Sequence, residues 1–329
     1  MASGTTATPG VPAPDGAGHR PVLLHHLIQS LQPQPGQTVV DATLGGGGVT
    51  RALLTRVAPG GRVIAIDRDE SAIASARTFP VPDGVVLDLV HDDFAELDGI
   101  VHRLAAPVVD AIAFDLGISS LQLDDATRGF SFSHDGPLDM RMDRSAGSDA
   151  AAIVNGLAED DLAQLIRELG DERFARRIAQ RIVTVRRRSP VETTAQLRGI
   201  VEAAIPRRMW PKRIHPATRT FQALRISVNG ELDSLERGLQ AALHILRPGG
   251  RLGVISFHSL EDTLVKNSLN VAATSCTCPP QQPHCTCAHR ATISLITRRA
   301  IRPDDGEIDA NPRARSARLR VAEKLLPTP

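Results

Sequence analysis

Apolar residues in the first third of the chain fall into short runs that end at an acidic residue or a turn, a pattern typical of buried parallel strands. Thr38–Asp41 is followed by four glycines, 45–48, and by a helical pattern. The runs 63–67, 85–90 and 108–115 repeat this rhythm, with helical patterns between them. Four strands with intervening helices predict an α/β fold with a doubly wound parallel sheet, whose ligands gather at the carboxyl ends of the strands.

Beyond Asp115 the periodicity becomes helical, and no strand pattern returns before 251–255. The spacing predicts a discontinuous sheet domain over 19–134 and 229–329, interrupted by a helical insertion over 135–228. A long amphipathic pattern over 231–246 returns the chain to the sheet, and the alternating segment 317–322 predicts an outer strand. The first 18 residues are rich in Pro, Gly, Ala and Thr, and we expect a disordered tail there.

The net charge of +1 hides a strong segregation of charge along the chain. Fourteen Arg or Lys residues and only two acids, Glu192 and Glu202, lie between Arg173 and Arg225. Such a stretch is often only a solvated face, but uncompensated like charge favours contact with the phosphates of a nucleic acid. The start of the chain lacks the pattern of a signal peptide, and no apolar run approaches the ~18 residues of a membrane span. We therefore expect a cytoplasmic protein without a membrane partner.

The glycine cluster and two strand-end acids, Asp41 and Asp67, predict a cofactor site. The dinucleotide pattern G-x-G-x-x-G fails because Thr50 stands where its third glycine should be. The order of these residues favours a cofactor with a ribose and an amino-acid moiety but no pyrophosphate, with Asp67 at the ribose. Phe94 follows the third strand where an adenine ring would lie. Alternatively, the acids only cap helices and the glycines only turn the chain.

Several segments together resemble the signatures of the MraW/RsmH family of 16S ribosomal RNA cytosine-N4 methyltransferases. The resemblance spans about residues 19–323. The segments that carry it are Asp41–Gly48, Ala65–Asp69, Phe114–Ser120, Gln122–Asp124, Arg128–Phe132, Asp135–Asp143, Glu172–Ala175, His215–Arg225, Ile255–Asp262 and Asn311–Ser316. The resemblance implies a Rossmann-like class I methyltransferase sheet with an inserted helical domain that recognises RNA.

The resemblance also implies a cofactor, S-adenosylmethionine, and a substrate, N4 of cytidine-1402 at the decoding centre of the small ribosomal subunit. It does not fix the oligomeric state, and a homodimer is one of the states that remain open. Two residues depart from the family pattern: Val49 replaces a usual His, and Leu121 replaces a usual Pro. The cofactor contacts that the resemblance implies are Gly47, Gly48, Val49, Asp67, Phe94, Asp115 and Gln122.

Methylation of an exocyclic amine requires alignment of donor and acceptor, because the methyl group of a sulfonium is already activated. An acceptor for the amine N–H groups would help by localising the nitrogen lone pair. Asp115 is the first candidate, followed by Asp139, Ser256 and His258. Asp139 could instead pair with Arg141, and the other two could be structural. A DNA cytosine-N4 methyltransferase and a non-catalytic RNA-binding assembly factor remain as alternatives.

All four cysteines lie in two C-x-C pairs, Cys276 with Cys278 and Cys285 with Cys287. Four thiols so close together predict a structural tetrahedral zinc site. The C-x-C spacing is tighter than the usual two to four intervening residues, so four free thiols in a mobile loop are the alternative.

Overall fold

The computed structural model describes residues 21–106, 108–279, 282 and 284–326, so the tail expected over residues 1–18 lies outside the described residues. A seven-stranded sheet, in the order β3-β2-β1-β4-β5-β7-β6, forms the centre of the described chain. Its strands are β1 Thr38–Asp41, β2 Arg62–Asp67, β3 Val86–His91, β4 Val109–Asp115, β5 Leu246–Ser256, β6 Ile293–Leu295 and β7 Arg318–Lys324. Strands β1 to β5 all run parallel to one another, and β7 is antiparallel to both β5 and β6.

Helices connect the strands and cover both faces of the sheet. The first five are α1 Leu24–Leu31, α2 Gly48–Val57, α3 Glu70–Ala76, α4 Leu97–Arg103 and α5 Ser120–Asp124. The next five are α6 Ala150–Gly156, α7 Glu159–Gly170, α8 Ala175–Arg186, α9 Thr194–Ala204 and α10 Thr218–Asn229. The last three are α11 Glu231–Ile245, α12 Ser259–Ala273 and α13 Asp305–Ala310. The sheet order is that of a Rossmann-like fold, which confirms the predicted fold class.

The strand register gathers the acidic strand ends at one edge of the sheet. Asp41 of β1 pairs with Ala65 of β2 on one side and with Ala113 of β4 on the other. Asp67 and Asp115 therefore lie two residues further along neighbouring strands. The chain order reverses between β1 and β4, and this switch point is where open α/β sheets bind ligands.

The helices α6 to α10 pack their apolar side chains into a cluster separate from those on the two faces of the sheet. Ile178 and Ile182 of α8, four residues apart on one face of the helix, are fully buried in it. Phe130 and Leu138 join the same cluster from the segment that leads into α6. The domain boundaries at residues 135 and 228 stay a prediction.

The prediction of an outer strand near the carboxyl end is wrong in one respect. Strand β7 lies between β5 and β6, so the edge of the sheet is β6. With only three residues, β6 has no periodicity that a sequence pattern could reveal. Of the helices in the described ranges, none combines the length and apolar character needed to cross a bilayer.

Candidate active site

The turn after β1 is braced by a buried carboxylate. Asp41 accepts hydrogen bonds from the Thr43 backbone N–H (3.2 Å) and from the Thr50 hydroxyl (2.6 Å), which ties the turn to the first residues of α2. Burial raises the pKa of Asp41 to about 6 despite these bonds. The hydrogen bonds of Asp41 therefore stabilise the turn.

Asp67, at the end of β2, faces the same turn. Its carboxylate accepts hydrogen bonds from the backbone N–H groups of Gly45 (2.7 Å) and Asp69 (2.8 Å). Burial raises the pKa of Asp67, and the nearby charge of Asp69 raises it further. Each bond occupies only one lone pair of a carboxylate oxygen, so Asp67 can still accept bonds from a ligand hydroxyl.

The glycines of the turn have different roles. Gly47 has a φ of 75°, and a Cβ there would overlap the ring of Phe79, so both backbone and packing require glycine. A Cβ at Gly48 would overlap the ring of Pro21. Gly46 is exposed, and a Cβ there would meet nothing within 4 Å. The turn is therefore open at Gly46, where a ligand can approach the backbone closely.

The side chain of Val49 points away from this opening. It is buried in the core that α1 and α2 form against the sheet. Any contact of Val49 with a cofactor would therefore use its backbone, as would contacts of Gly47 and Gly48. The His-to-Val departure at this position places an apolar side chain in an apolar core.

Asp115, at the end of β4, carries an unpartnered buried atom. Its backbone N–H donates to the Thr43 hydroxyl (2.6 Å), which fixes β4 beside the glycine turn. Among the described residues, its Oδ1 has no hydrogen-bond partner and is closed to solvent, although the residue as a whole is only half-buried. Burial, followed by the charges of Asp41 and Glu261, raises the pKa of Asp115 to about 8.

Two predicted cofactor contacts, Phe94 and Gln122, already have protein partners. The Phe94 ring lies edge-on to Phe114, with ring centroids 5.4 Å apart, and packs where Gly238 has no side chain. The Gln122 amide donates to Asp69 (2.8 Å), and its carbonyl accepts from the Ser119 backbone in a capping box. Their contacts with a cofactor stay predictions.

A buried ion pair that the sequence analysis missed joins the sheet to the segment leading into α6. Arg128 donates to Asp69 at 2.6 Å, and both side chains are nearly closed to solvent. Arg128 also donates to the backbone carbonyls of Arg141 (3.0 Å) and Met142 (2.9 Å). Asn229 holds the same loop through the Met142 N–H (2.8 Å).

Asp139 lies in that loop and forms an ion pair with Arg141, which was the alternative to a catalytic role. It accepts from Arg141 at 2.7 Å and lies 3.3 Å from the Arg144 guanidinium. Burial raises the pKa of Asp139, but the hydrogen bonds from Arg141 and the charges of both arginines outweigh it and hold the pKa below its usual value. A carboxylate neutralised in this way is a weaker acceptor for an amine than Asp115.

Ser256 and His258 flank the end of β5. The Ser256 hydroxyl donates to the Arg318 carbonyl (3.4 Å), which satisfies a strand end. His258 caps α12 by accepting from the Glu261 backbone N–H (3.4 Å). Its Nε2 lies 3.0 Å from Glu261 Oε1 but is poorly aligned for a hydrogen bond.

Glu261 belongs to a buried charge cluster that sequence patterns did not reveal. It accepts from the backbone N–H of Phe257 (2.8 Å), and Arg225 lies 4.0 Å away. Arg225 also forms a bidentate ion pair with Glu231, in which both hydrogen bonds are 2.8 Å long. Burial raises the pKa of Glu261, but the adjacent His258 ring and the charge of Arg225 hold it below its usual value. Glu231, His258 and Glu261 could converge on a metal ion, yet the Arg225 guanidinium already supplies a cation there.

The basic segment is mostly exposed. Four of its arginines, at 186, 198, 219 and 225, are half-buried. The ten exposed basic residues form no ion pair with any residue that the structure describes. They are Arg173, Arg176, Arg177, Arg181, Arg187, Arg188, Arg207, Arg208, Lys212 and Arg213. Arg173 donates to the Met209 carbonyl (3.2 Å), which joins the start of α8 to the turn at 207–209.

Comparison with known proteins identifies the family of this chain. Residues 16–325 match the model of the MraW methylase family. The chain belongs to this methylase family. The match covers the sheet domain, the helices α6 to α10 and the cysteine-containing loop, so all the residues described above lie within it.

Relatives of this methylase are similar over nearly their whole length. The ribosomal RNA small subunit methyltransferase H of Geobacter sp. (strain M21) is 50% identical over 93% of this chain and 98% of its own. The protein of the same name from Symbiobacterium thermophilum is 48% identical over 93% of this chain and 96% of its own. Among solved structures, a putative rRNA methylase from Clostridium thermocellum has 16% identity and a TM-score of 0.42 over 92% of this chain and 95% of that chain.

Proposed function

We propose that this methylase transfers a methyl group from S-adenosylmethionine to N4 of a cytidine in 16S ribosomal RNA, the cytidine-1402 that the sequence resemblance implies. The names of the relatives support a small-subunit RNA substrate. The observation that supports the chemistry is the buried, unpartnered Oδ1 of Asp115 at the switch point of the sheet.

The residues at this edge of the sheet fit S-adenosylmethionine. The exposed Gly46 leaves room for the cofactor beside the turn, and Asp67 has free lone pairs for the ribose hydroxyls. The amino-terminal end of α2 suits the carboxylate of the methionine moiety. When bound, the cofactor supplies an activated methyl group on a positively charged sulfur. Asp41, Asp67 and Asp115 all have raised pKa values, so a nearby positive charge relieves the cost of ionising them.

Asp115 is the acceptor for the reacting amine in this proposal. The lone pair of the cytosine N4 is delocalised into the ring, and a hydrogen bond from N4–H to the Asp115 carboxylate localises it for attack. The carboxylate must be ionised to accept this bond. It then takes the proton that the amine loses, which leaves Asp115 neutral, the form that burial already favours.

The ten exposed basic residues are the proposed docking surface for the RNA. They carry no compensating acid in the described parts of the chain, and phosphates would supply the missing countercharge. Trp210 lies in the same region with Arg207 stacked on its ring, 5.2 Å from the centroid. The target base must leave its stack to reach Asp115, which favours an irregular region of RNA.

The test uses small ribosomal subunits from a strain that lacks this gene. We expect the purified protein to transfer one labelled methyl group per subunit, and nucleoside mass spectrometry should find N4-methylcytidine. Asp115→Ala should abolish transfer. Ser256→Ala should retain most of it, because among the described residues its hydroxyl makes only one hydrogen bond, a long one to a strand-end carbonyl. Methylation at carbon 5, on another nucleotide, or at near wild-type rate by the Asp115 variant would contradict the proposal.

A further inference from the structure

The four cysteines converge in the loop between α12 and β6. Their sulfur atoms all lie within 4.8 Å of one another. The Sγ to Sγ distances are 3.4 Å between Cys276 and Cys285, 3.6 Å between Cys285 and Cys287, and 3.7 Å between Cys287 and Cys276. Two C-x-C pairs separated by six residues therefore meet at one point.

These distances can be compared with those that a disulfide and a tetrahedral zinc site require. A disulfide requires sulfur atoms about 2.05 Å apart, so none of the three pairs is bonded. A zinc ion with Zn–S bonds of about 2.3 Å holds its four sulfurs about 3.8 Å apart at the corners of a tetrahedron. The distances between 3.4 and 3.7 Å are close to that value. The tight C-x-C spacing is thus compatible with tetrahedral geometry.

The four sulfurs do not meet in an apolar core. Cys276 and Cys285 are exposed and the other two are half-buried, so no apolar core gathers them. The Thr277 backbone N–H points at Cys287 Sγ, 3.4 Å away, an orientation that stabilises a thiolate rather than a thiol. His284 does not belong to the converging group.

A metal link would restrain a long loop. Between α12 and β6 the described residues form neither helix nor strand, and loops of this length are uncommon in compact domains. The Thr292 N–H donates to the Ala272 carbonyl (2.8 Å), and the His289 ring lies 2.9 Å from the Val271 carbonyl. Both contacts fix the second C-x-C pair near the end of α12, while Cys276 lies just beyond that helix.

We propose that Cys276, Cys278, Cys285 and Cys287 bind one zinc ion that cross-links this loop. Each thiol gives its proton to the solvent as its sulfur bonds the metal, with no change of oxidation state. Four thiolates fill the tetrahedron, so the ion has no open position for a substrate and serves structure alone. The site is separate from the methyl-transfer pocket, and its test does not depend on activity.

The experiment measures zinc in protein purified without a His-tag from zinc-supplemented cultures. We expect one zinc per chain by mass spectrometry, loss of most of it in Cys278→Ser and Cys285→Ser, and retention in the control His284→Ala. Metal-stripped wild-type protein should take up one Co²⁺ per chain with the strong visible absorption of tetrahedral thiolate coordination.

Hydrogen exchange gives a second, independent measurement. Amides of the loop should be protected in the zinc-loaded protein and should exchange at least ten-fold faster after chelation, with the strands unchanged. Wild-type protein that contains no zinc and takes up no Co²⁺, or that shows a disulfide by mass, would overturn the proposal. So would full zinc occupancy in both cysteine variants.

Discussion

Replacement of Asp115 by Asn should change how the stability of the protein depends on pH. Burial raises the pKa of this carboxyl group from 3.8 to about 8 in the folded chain. A group with a raised folded pKa contributes stability that is complete below its unfolded pKa and is lost as pH rises toward its folded pKa. Wild-type protein should therefore lose stability between about pH 4 and pH 8, and Asp115→Asn should not lose this share.

The magnitude follows from the size of the pKa shift. From pH 5 to pH 8 the unfolded chain has an ionised Asp115 while the folded chain still holds its proton, and each unit of pH contributes about 1.4 kcal/mol. Three units give an upper limit of about 4 kcal/mol. Because the residue is only half-buried, water reaches part of the carboxyl group and reduces the penalty. We expect a change of about 2 kcal/mol in the difference between the two proteins.

Urea unfolding at pH 5 and at pH 8.5 measures this difference directly. The matched control is Asp139→Asn, because the arginines beside Asp139 hold its folded pKa below the usual value. The stability that Asp139 contributes is present above its unfolded pKa and is lost only in stronger acid. This control should therefore be destabilised equally at both pH values. A constant difference between wild-type protein and Asp115→Asn would refute the reasoning about burial at the switch point.

Three further predictions concern the site and its surroundings. Glu261→Gln removes one partner of a buried charge cluster and should lower the free energy of unfolding by about 3 kcal/mol, as measured by urea unfolding. A loss below about 0.5 kcal/mol would show that water solvates the cluster. Gly46→Ala should change the melting temperature by no more than one or two degrees but weaken S-adenosylmethionine binding at least ten-fold, because its Cβ would occupy the opening. Gly47→Ala should instead lower the melting temperature. Equal effects of the two variants on stability and binding would contradict these separate roles of the two glycines. Reversal of three charges on α8 by Arg176→Glu, Arg177→Glu and Arg181→Glu should weaken binding to ribosomal RNA and reduce the dependence of the affinity on salt concentration. An unchanged salt dependence would exclude α8 from the docking surface.

The strands that hold the site could be predicted because their signals are local. Thr38–Asp41 and the run ending at Asp67 are apolar, short and followed by turns, and the structure places strands there. Strand β5 is longer than the predicted 251–255, since it starts at Leu246 and includes Pro248-Gly249-Gly250. The pairing register shifts between Val109 and Ala111 opposite this segment, so an irregularity in the ladder accommodates residues that usually stop a strand.

The partners of the site residues could not be predicted, because they depend on contacts between distant segments. Arg225 and Glu261 are 36 residues apart, and no period links them. Gln122 has the same local sequence whether its amide faces a cofactor or Asp69, and only the fold shows that it binds Asp69. The strand-end position of Asp115 was readable, whereas the lack of a partner for its Oδ1 required the surrounding atoms.

Calorimetric titration of S-adenosylmethionine into wild-type protein and into Asp67→Ala tests the cofactor site, with Asp92→Ala as a control from the end of the next strand. Asp92 forms an ion pair with Arg103 at 2.8 Å, so its carboxylate already has a cation. We expect one site per chain, at least ten-fold weaker binding in Asp67→Ala and near wild-type affinity in the control. Failure of the wild-type protein to bind, or undiminished binding by Asp67→Ala, would contradict the assignment of the strand-end pocket.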